Sequence, residues 1–104
     1  MEFKDITSPE AIAERVKWLR EHLGLQQNEF ATSIGMTRTQ VNNWERATGR
    51  LSLNGAMQIN NVYGTSLDFL FLGRADTLPQ NMRNAWASRS LDKNSNKSSD
   101  NPES

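Results

Sequence analysis

The sequence predicts an all-α fold, in which five short helices form one compact domain and a mostly disordered tail follows. Apolar residues recur at the three- and four-residue spacing of a helix face. Small hydroxyl residues stand before several of these segments and glycines follow them, which favours the beginning and the end of a helix. The length of 104 residues suits a single small domain.

Helix 1 is expected from about Pro9 to Leu23. Ser8 is a good N-cap, and a proline in the first turn is favoured. Gly24 follows the last apolar residue and is expected to end the helix. The apolar stripe comprises Ile12, Val16, Leu19 and Leu23. Residues 1–8 are expected to form an N-terminal arm.

Helix 2 is expected from about Gln27 to Ser33. Gly35 can adopt the positive φ that ends such a helix. Gln26 occupies the N-cap position, and because glutamine is a poor N-cap, the start of this helix is expected to be less firmly fixed. The inner face comprises Phe30, Ala31 and Ile34.

Helix 3 is expected from about Arg38 to Arg46. Thr37 is its N-cap, and Gln40 completes a capping box. At about 100° per residue, Val41 and Trp44 lie on the inner side with Thr37, so Trp44 is interpreted as a core residue. The outer side carries Thr39, Asn42, Asn43 and Arg46, with Arg38 at its flank.

Helix 4 is expected from Leu53 to Tyr63, after the N-cap Ser52. Its expected inner face comprises Leu53, Ala56, Met57 and Tyr63. Asn60 falls in the middle of that face, and a buried amide needs hydrogen-bond partners. Either Asn60 is satisfied locally or the helix is rotated, and the sequence leaves both alternatives open.

Helix 5 is expected from Leu67 to Leu72, between Ser66 and Gly73. Five of its six residues are large and apolar, which is more than so short a surface helix can bury in its own domain. In one interpretation Phe69 and Leu70 complete the core and the rest stay partly exposed. In the other, Leu67 and Phe71 form a contact between two copies of the chain.

The composition changes after Gly73. Residues 74–91 are expected to be a linker with one short amphipathic helix, about Pro79 to Arg89. Its apolar pattern begins at Leu78, just before the helix, and ends at Trp86. Residues 92–104 are polar and are expected to be disordered. The helical domain itself is therefore assigned to residues 9–73.

Charge and composition exclude several classes of function. The net charge is zero, although Arg38, Arg46 and Arg50 face only Glu45 between Gly35 and Ser52, which makes that region locally positive. The chain has one histidine and no cysteine, so we expect no enzyme activity, metal site or cofactor. No apolar run predicts a membrane span, and the polar start is unlike a signal peptide. Localisation in a reducing cytoplasm is expected.

Two segments carry a resemblance to a known family: GLQQNEFATSIGMTRTQVNNWE and SLNGAMQINNVYGTSLDFLFLG. Together with helix 1, over roughly residues 10–73, they resemble the lambda-repressor-like helix-turn-helix of the Cro and phage-repressor family of bacterial regulators. The resemblance implies a sequence-specific DNA-binding regulator, namely a repressor that binds a two-fold operator in the major groove as a homodimer.

The outer side of helix 3 has the chemistry to read base edges. An arginine such as Arg38 can pair with guanine, an asparagine such as Asn42 or Asn43 with adenine, and the methyl group of Thr39 suits thymine. Phosphate contacts are expected from Gln27 at the start of helix 2, and from Arg46 and Arg50. The resemblance favours positions 38, 39 and 43 for bases and positions 27 and 46 for phosphates.

The resemblance also implies a structural brace, in which Arg20 of helix 1 holds Glu45 at the end of helix 3. The alternative is two solvated charges worth less than about 1 kcal/mol.

A second function is considered beside DNA binding: a protein-interaction module, such as an antitoxin that binds a toxin through residues 78–89. A tail that becomes ordered only with a partner would favour this function, whereas a tail docked on its own domain would not.

Overall fold

The computed structural model describes residues 5–89, and it confirms the all-α prediction. Within this range the chain forms helices and turns and contains no strand. The disorder expected for residues 92–104 concerns a part of the chain outside the described residues. The helices are α1 (Pro9–His22), α2 (Gln27–Ser33), α3 (Arg38–Glu45), α4 (Leu53–Tyr63) and α5 (Leu67–Leu72), followed by a short 3₁₀ turn at Ala75–Thr77 and a further helix, α6, over residues 80–89.

The helix ends form where the capping residues predict them. The Ser8 hydroxyl accepts a hydrogen bond from the Ala11 N–H at 3.1 Å, which begins α1. Thr37 and Gln40 form the complete capping box of α3. At α2 the weak N-cap Gln26 is supported by Glu29, whose carboxylate accepts from the Gln26 N–H at 2.8 Å. The start of α2 is thus held by Glu29, although glutamine itself is a poor N-cap.

One apolar core joins all the helices. α3 packs against both α1 and α2, and α5 packs against α1 and α4. The stripe predicted for α1 faces this core, with Val16 and Leu19 fully buried. Trp44 is 5% exposed and is a core residue, as predicted. The core comprises Ile12, Val16, Leu19, Phe30, Ala31, Ile34, Val41, Trp44, Leu51, Ala56, Ile59, Phe69, Leu70, Leu78 and Met82.

The inner face predicted for α4 is wrong at two positions. Leu53 is 61% exposed and Met57 is 49% exposed, whereas the buried residues of this helix are Gly55, Ala56 and Ile59. Gly55 explains the rotation: a Cβ atom there would lie 2.6 Å from Cη2 of Trp44. The missing side chain of glycine therefore lets α4 approach the Trp44 ring.

The rotation also resolves the two alternatives for Asn60. Its side chain is exposed, so the helix is rotated relative to the predicted face. It also has a local partner, because its Nδ2 donates to the Thr65 carbonyl at 3.1 Å. The helix is therefore rotated, and Asn60 also has a local hydrogen-bond partner, so each of the two alternatives describes part of the structure.

The predicted short helix after Gly73 is present as α6, and it packs on the rest of the chain. Leu78 and Met82 are buried. The Trp86 ring meets the rings of Trp18 and Phe69 edge-on, with centroid distances of 5.1 and 4.9 Å. The segment therefore covers a surface formed by α1 and α5.

Arg15 is a buried cation that connects distant parts of the chain. Its guanidinium donates to the Leu70 carbonyl at 3.1 Å and to the Ile6 carbonyl at 2.7 Å. Burial lowers the pKa of the Arg15 guanidinium. Gly73, beside this guanidinium, has a φ of 74°, a left-handed conformation that favours glycine. Arg15 thus holds the N-terminal arm against the end of α5.

No helix among residues 5–89 has the length and apolar character needed to cross a membrane.

Candidate nucleic-acid interface

The outer face of α3 is polar and open to solvent. Arg38, Thr39 and Asn43 are exposed, whereas Val41 and Trp44 on the other side are buried. This division follows from the helix period, because residues three apart share a side and the buried pair fixes the rotation of the helix. α3 is therefore a rigidly seated helix that presents a guanidinium, a hydroxyl and an amide together.

Arg20 and Glu45 form a two-point ion pair between α1 and the end of α3. Nε of Arg20 lies 2.7 Å from Oε2 of Glu45, and Nη2 lies 3.0 Å from Oε1. The remaining Nη1 donates to the Leu25 carbonyl at 2.8 Å. The hydrogen bond to the Glu45 carboxylate raises the pKa of Arg20 against the opposing effect of burial. The side chains are only 14% and 4% exposed, so this pair is shielded from solvent more than an ordinary surface pair.

Gln27 joins the same network from the first position of α2. Its Nε2 donates to Oε1 of Glu45 at 3.2 Å and to Oδ1 of Asn42 at 3.3 Å. Asn42 is half-buried, unlike its neighbour Asn43. The structure therefore brings Gln27, Asn42, Glu45 and Arg20 together at the junction of three helices, and it leaves Asn43 on the open face.

The loop after α3 folds back onto Asn43. The Asn43 carbonyl accepts from the backbone N–H groups of Thr48 and Gly49, at 3.0 and 3.2 Å. The Thr48 hydroxyl also donates to Oδ1 of Asn43 at 3.2 Å. Ala47 adopts a positive φ of 61° in this loop. The Asn43 amide is thus oriented by the loop that follows it.

The three arginines expected at the site occupy different positions. Arg38 begins α3, and Arg46 is its exposed C-cap. Arg50 lies in the loop before α4, and its Nη1 donates to the Thr7 carbonyl at 2.9 Å. Arg50 is therefore held beside the N-terminal arm, in a contact that the sequence did not predict.

The residues expected at a contact between copies lie on α5, apart from the polar face of α3. Leu67 and Phe71 are partly buried and pack against the core. Phe69 and Leu70 are fully buried. Leu72 is 39% exposed.

Within residues 5–89 no three His, Cys, Asp or Glu side chains are grouped closely enough to hold a metal ion.

Sequence reasoning missed the contacts that join one helix to another. Gln27 was expected at a phosphate, and its pairing with Asn42 and Glu45 had no signal within either segment. Thr48 and Gly55 were also overlooked as partners of Asn43 and Trp44. Such pairings are hard to anticipate, because most side-chain hydrogen bonds go to backbone groups or water rather than to other side chains.

Comparisons with known proteins agree with this geometry. The family model described as "Helix-turn-helix" matches residues 16–70, just over half of the chain. A repressor protein CI of Enterobacteria phage phi80 is 38% identical over 63 residues, which cover 61% of this chain and 26% of that protein. The chain thus matches about a quarter of the length of this relative. A comparison with solved structures gave no match.

Proposed function

Because this chain belongs to the helix-turn-helix family, we propose that it is a sequence-specific DNA-binding regulator of transcription, and that it acts as a repressor. The similar phage protein is named a repressor, which supports the second part. The observation that carries the proposal is the polar outer face of α3 on a helix fixed by buried Val41 and Trp44. An α-helix with such a face fits the B-DNA major groove.

The proposed base contacts are those of the exposed α3 side chains. Arg38 would pair with the O6 and N7 atoms of guanine, and Asn43 with the N6 and N7 atoms of adenine. Thr39 would contact a thymine methyl group. Asn42 would contribute at the edge of this surface, because its amide already accepts a hydrogen bond from Gln27.

The proposed phosphate contacts flank these side chains. Gln27 stands at the first turn of α2, where free backbone N–H groups favour an anion. Arg46 is exposed at the end of α3. Arg50 would reach a phosphate on the side where it touches the Thr7 carbonyl. Such contacts position the protein on DNA and carry no direct information about sequence.

The Arg20–Glu45 pair is proposed to fix the angle of the reading helix. Its two hydrogen bonds connect α1 to the last residue of α3. Gln27 extends the connection to α2 through the same carboxylate. A reading helix tied at its end to two supporting helices keeps its side chains in register with the groove.

A homodimer is proposed, with Leu67 and Phe71 of α5 at the contact between copies. Two copies related by a two-fold axis would place two α3 helices in successive major grooves on one face of DNA. The preferred half-sites would then be roughly 34–36 Å apart.

A selection experiment on random double-stranded DNA tests the proposal. Enrichment of a two-fold sequence by the full chain would support it. An Arg38→Ala, Asn43→Ala double variant serves as the matched control, because both side chains are exposed and their removal leaves the core intact. If wild type and control enrich the same sequences, or neither enriches any, α3 does not read DNA.

The alternative of a protein-interaction module is weakened by α6. Residues 78–89 were the segment expected to meet a toxin or another partner. Leu78 and Met82 are buried on their own domain, and Trp86 contacts Trp18 and Phe69. An apolar surface that is already covered within the chain is less available for a partner.

A further inference from the structure

We infer that the outer face of α4, centred on Leu53 and Met57, forms part of the surface through which two copies of this chain pair. The inference rests on the proposed function in one respect, since that function requires a homodimer. It adds an interaction surface on a different helix from the one expected. The partner is a second copy of the same chain, in a two-fold contact where each α4 meets the other.

Exposure is the first observation. Leu53 is 61% exposed and Met57 is 49% exposed, and they lie one turn apart on the same side of α4. On α5, by contrast, Leu67 and Phe71 are already packed against the core. Among residues 5–89 the most exposed large apolar side chain is therefore Leu53 on α4, and Leu67 and Phe71 on α5 are less open to solvent.

The absence of charge is the second observation. Twenty-four of the 104 residues are charged, yet no Asp, Glu, Lys or Arg occurs from Leu51 to Leu67. Protein interfaces are depleted of charged residues at their centre and enriched in methionine and aromatic residues. The absence of charge matters more when a surface pairs with its own copy across a two-fold axis, because a charge near the axis would face the same charge on the other copy.

The polar residues of this face suit a contact between identical surfaces. Asn54, Asn60 and Asn61 are exposed around Leu53 and Met57. Each amide carries both donors and an acceptor, so it can form hydrogen bonds with an identical group on the other copy. This is the requirement of an isologous interface, in which one patch is complementary to itself.

The area that a stable dimer must bury is the third argument. A stable pair of proteins buries about 800 Å² on each partner, contributed by about 20–30 residues. α5 has six residues, two of them fully buried, so it cannot supply this area alone. α4 packs against α5 and carries no charged residue, whereas α6 carries Arg83 and Arg89. The adjoining surface that can extend the contact is therefore the outer face of α4.

The chain offers a matched control on the same helix. Val62 is 49% exposed, as Met57 is, but lies about 140° around the α4 axis from it. Met57→Glu and Val62→Glu place one carboxylate at equally exposed positions on different sides. We expect Met57→Glu to weaken the dimer at least roughly tenfold in sedimentation, because it sets like charges against each other, and Val62→Glu to change it less than about twofold.

Cross-linking gives a second measurement that does not depend on destabilisation. The chain has no cysteine, so Met57→Cys and Val62→Cys each introduce a single thiol. Under mild oxidation Met57→Cys is expected to form a covalent dimer and Val62→Cys to stay mostly monomeric. Melting curves for all four variants check that each one folds.

The outcomes separate this inference from the proposed function. A fifth variant, Phe71→Glu, places the same carboxylate on α5. If Met57→Glu dimerises as tightly as Val62→Glu, and only Phe71→Glu dissociates, the inference is overturned while sequence-specific binding still stands. A wild type that remains monomeric at high concentration and on DNA overturns it as well. If the wild type pairs through Met57 yet selects no DNA sequence, the pairing surface is supported and the proposed function fails.

Discussion

At the scale of single residues, substitutions at Arg38, Asn43 and Trp44 are expected to separate the proposed recognition of DNA from the stability of the fold. Arg38 and Asn43 are exposed on α3, and Trp44, adjacent to Asn43, is 5% exposed in the core. Replacing Arg38 or Asn43 by alanine is expected to leave the melting temperature nearly unchanged. Each variant is expected to lose discrimination at one base position per half-site, by about 1–3 kcal/mol. Binding to all single-base variants of the selected site measures this loss.

Trp44→Ala is the counterpart of those two variants. It is expected to lower the free energy of unfolding by about 3–5 kcal/mol, and to lose DNA binding because the domain unfolds. Melting curves recorded beside the binding measurements distinguish the two mechanisms. Wild-type base preference in both surface variants would rule out α3 as the reading helix.

Arg46 and Arg50 are expected to act on affinity alone. Each Arg→Ala variant should weaken binding to all sequences alike and reduce the slope of log K against log salt by about 0.9, because one phosphate contact is lost. Arg50 also donates to the Thr7 carbonyl, so Arg50→Ala frees this arm residue and Arg46→Ala does not. Titrations at several salt concentrations measure both slopes. A changed base preference with an unchanged slope would contradict the phosphate role.

At the scale of helices, the contact between Gly55 and Trp44 opposes intrinsic helix propensity. Alanine is favoured over glycine inside a helix by about 1 kcal/mol, so propensity alone predicts that Gly55→Ala stabilises α4. A Cβ atom there would lie 2.6 Å and 2.8 Å from two atoms of the Trp44 ring, and overpacking of this kind costs about 1–3 kcal/mol. We expect net destabilisation in chemical denaturation.

Gly49→Ala is the control for that substitution. A Cβ atom at Gly49 would meet only Cβ of Asn43, at 3.4 Å, which is close to ordinary van der Waals contact. This variant is expected to change stability by less than about 0.5 kcal/mol. A Gly55→Ala protein more stable than wild type would show that α4 does not approach Trp44 as closely as described.

The ion pair between Arg20 and Glu45 is expected to couple two helices. A double-mutant cycle with Arg20→Ala and Glu45→Ala should give a coupling energy of about 1.5–3 kcal/mol, as for hydrogen bonds to charged groups. A pair of solvated charges would give less than about 1 kcal/mol. Denaturant unfolding of the four proteins yields this number. The low exposure of both side chains favours the higher value.

The helix boundaries were predictable from sequence because capping is local. Ser8, Thr37 and Ser66 each cap a helix within three residues of themselves. The rotation of α4 was not predictable, since it depends on the ring of Trp44, a residue on another helix. The same limit applies to the candidate site: the outer face of α3 follows from its own period, but the link from Gln27 to Asn42 depends on how α2 and α3 cross.

At the scale of the whole molecule, α6 is expected to contribute to the stability of the domain. Trp86 packs edge-on against Trp18 and Phe69, and Met82 is buried. Trp86→Ala is expected to lower the free energy of unfolding by about 3 kcal/mol, near the lower end for a large aromatic residue because Trp86 is only partly buried. Thermal unfolding followed by circular dichroism measures the change.

Ala87→Ser serves as a control on the exposed side of the same helix and should leave the transition unchanged. If Trp86→Ala melts like wild type, residues 74–91 act as a linker, as the sequence analysis expected. If it melts earlier, the folded unit extends beyond residue 73.

The placement of the three tryptophans gives the molecule two separate optical signals. Trp44 lies on the buried side of α3, against Gly55, whereas Trp18 and Trp86 form an edge-on pair between α1 and α6. Replacing Trp44 by phenylalanine would leave the fluorescence of Trp18 and Trp86, which is sensitive to the contact between α1 and α6. Replacing both Trp18 and Trp86 by phenylalanine would leave Trp44 as the single tryptophan, and the spectral change on adding DNA would then report on α3. The chain can thus be followed in solution without an attached dye, one region at a time.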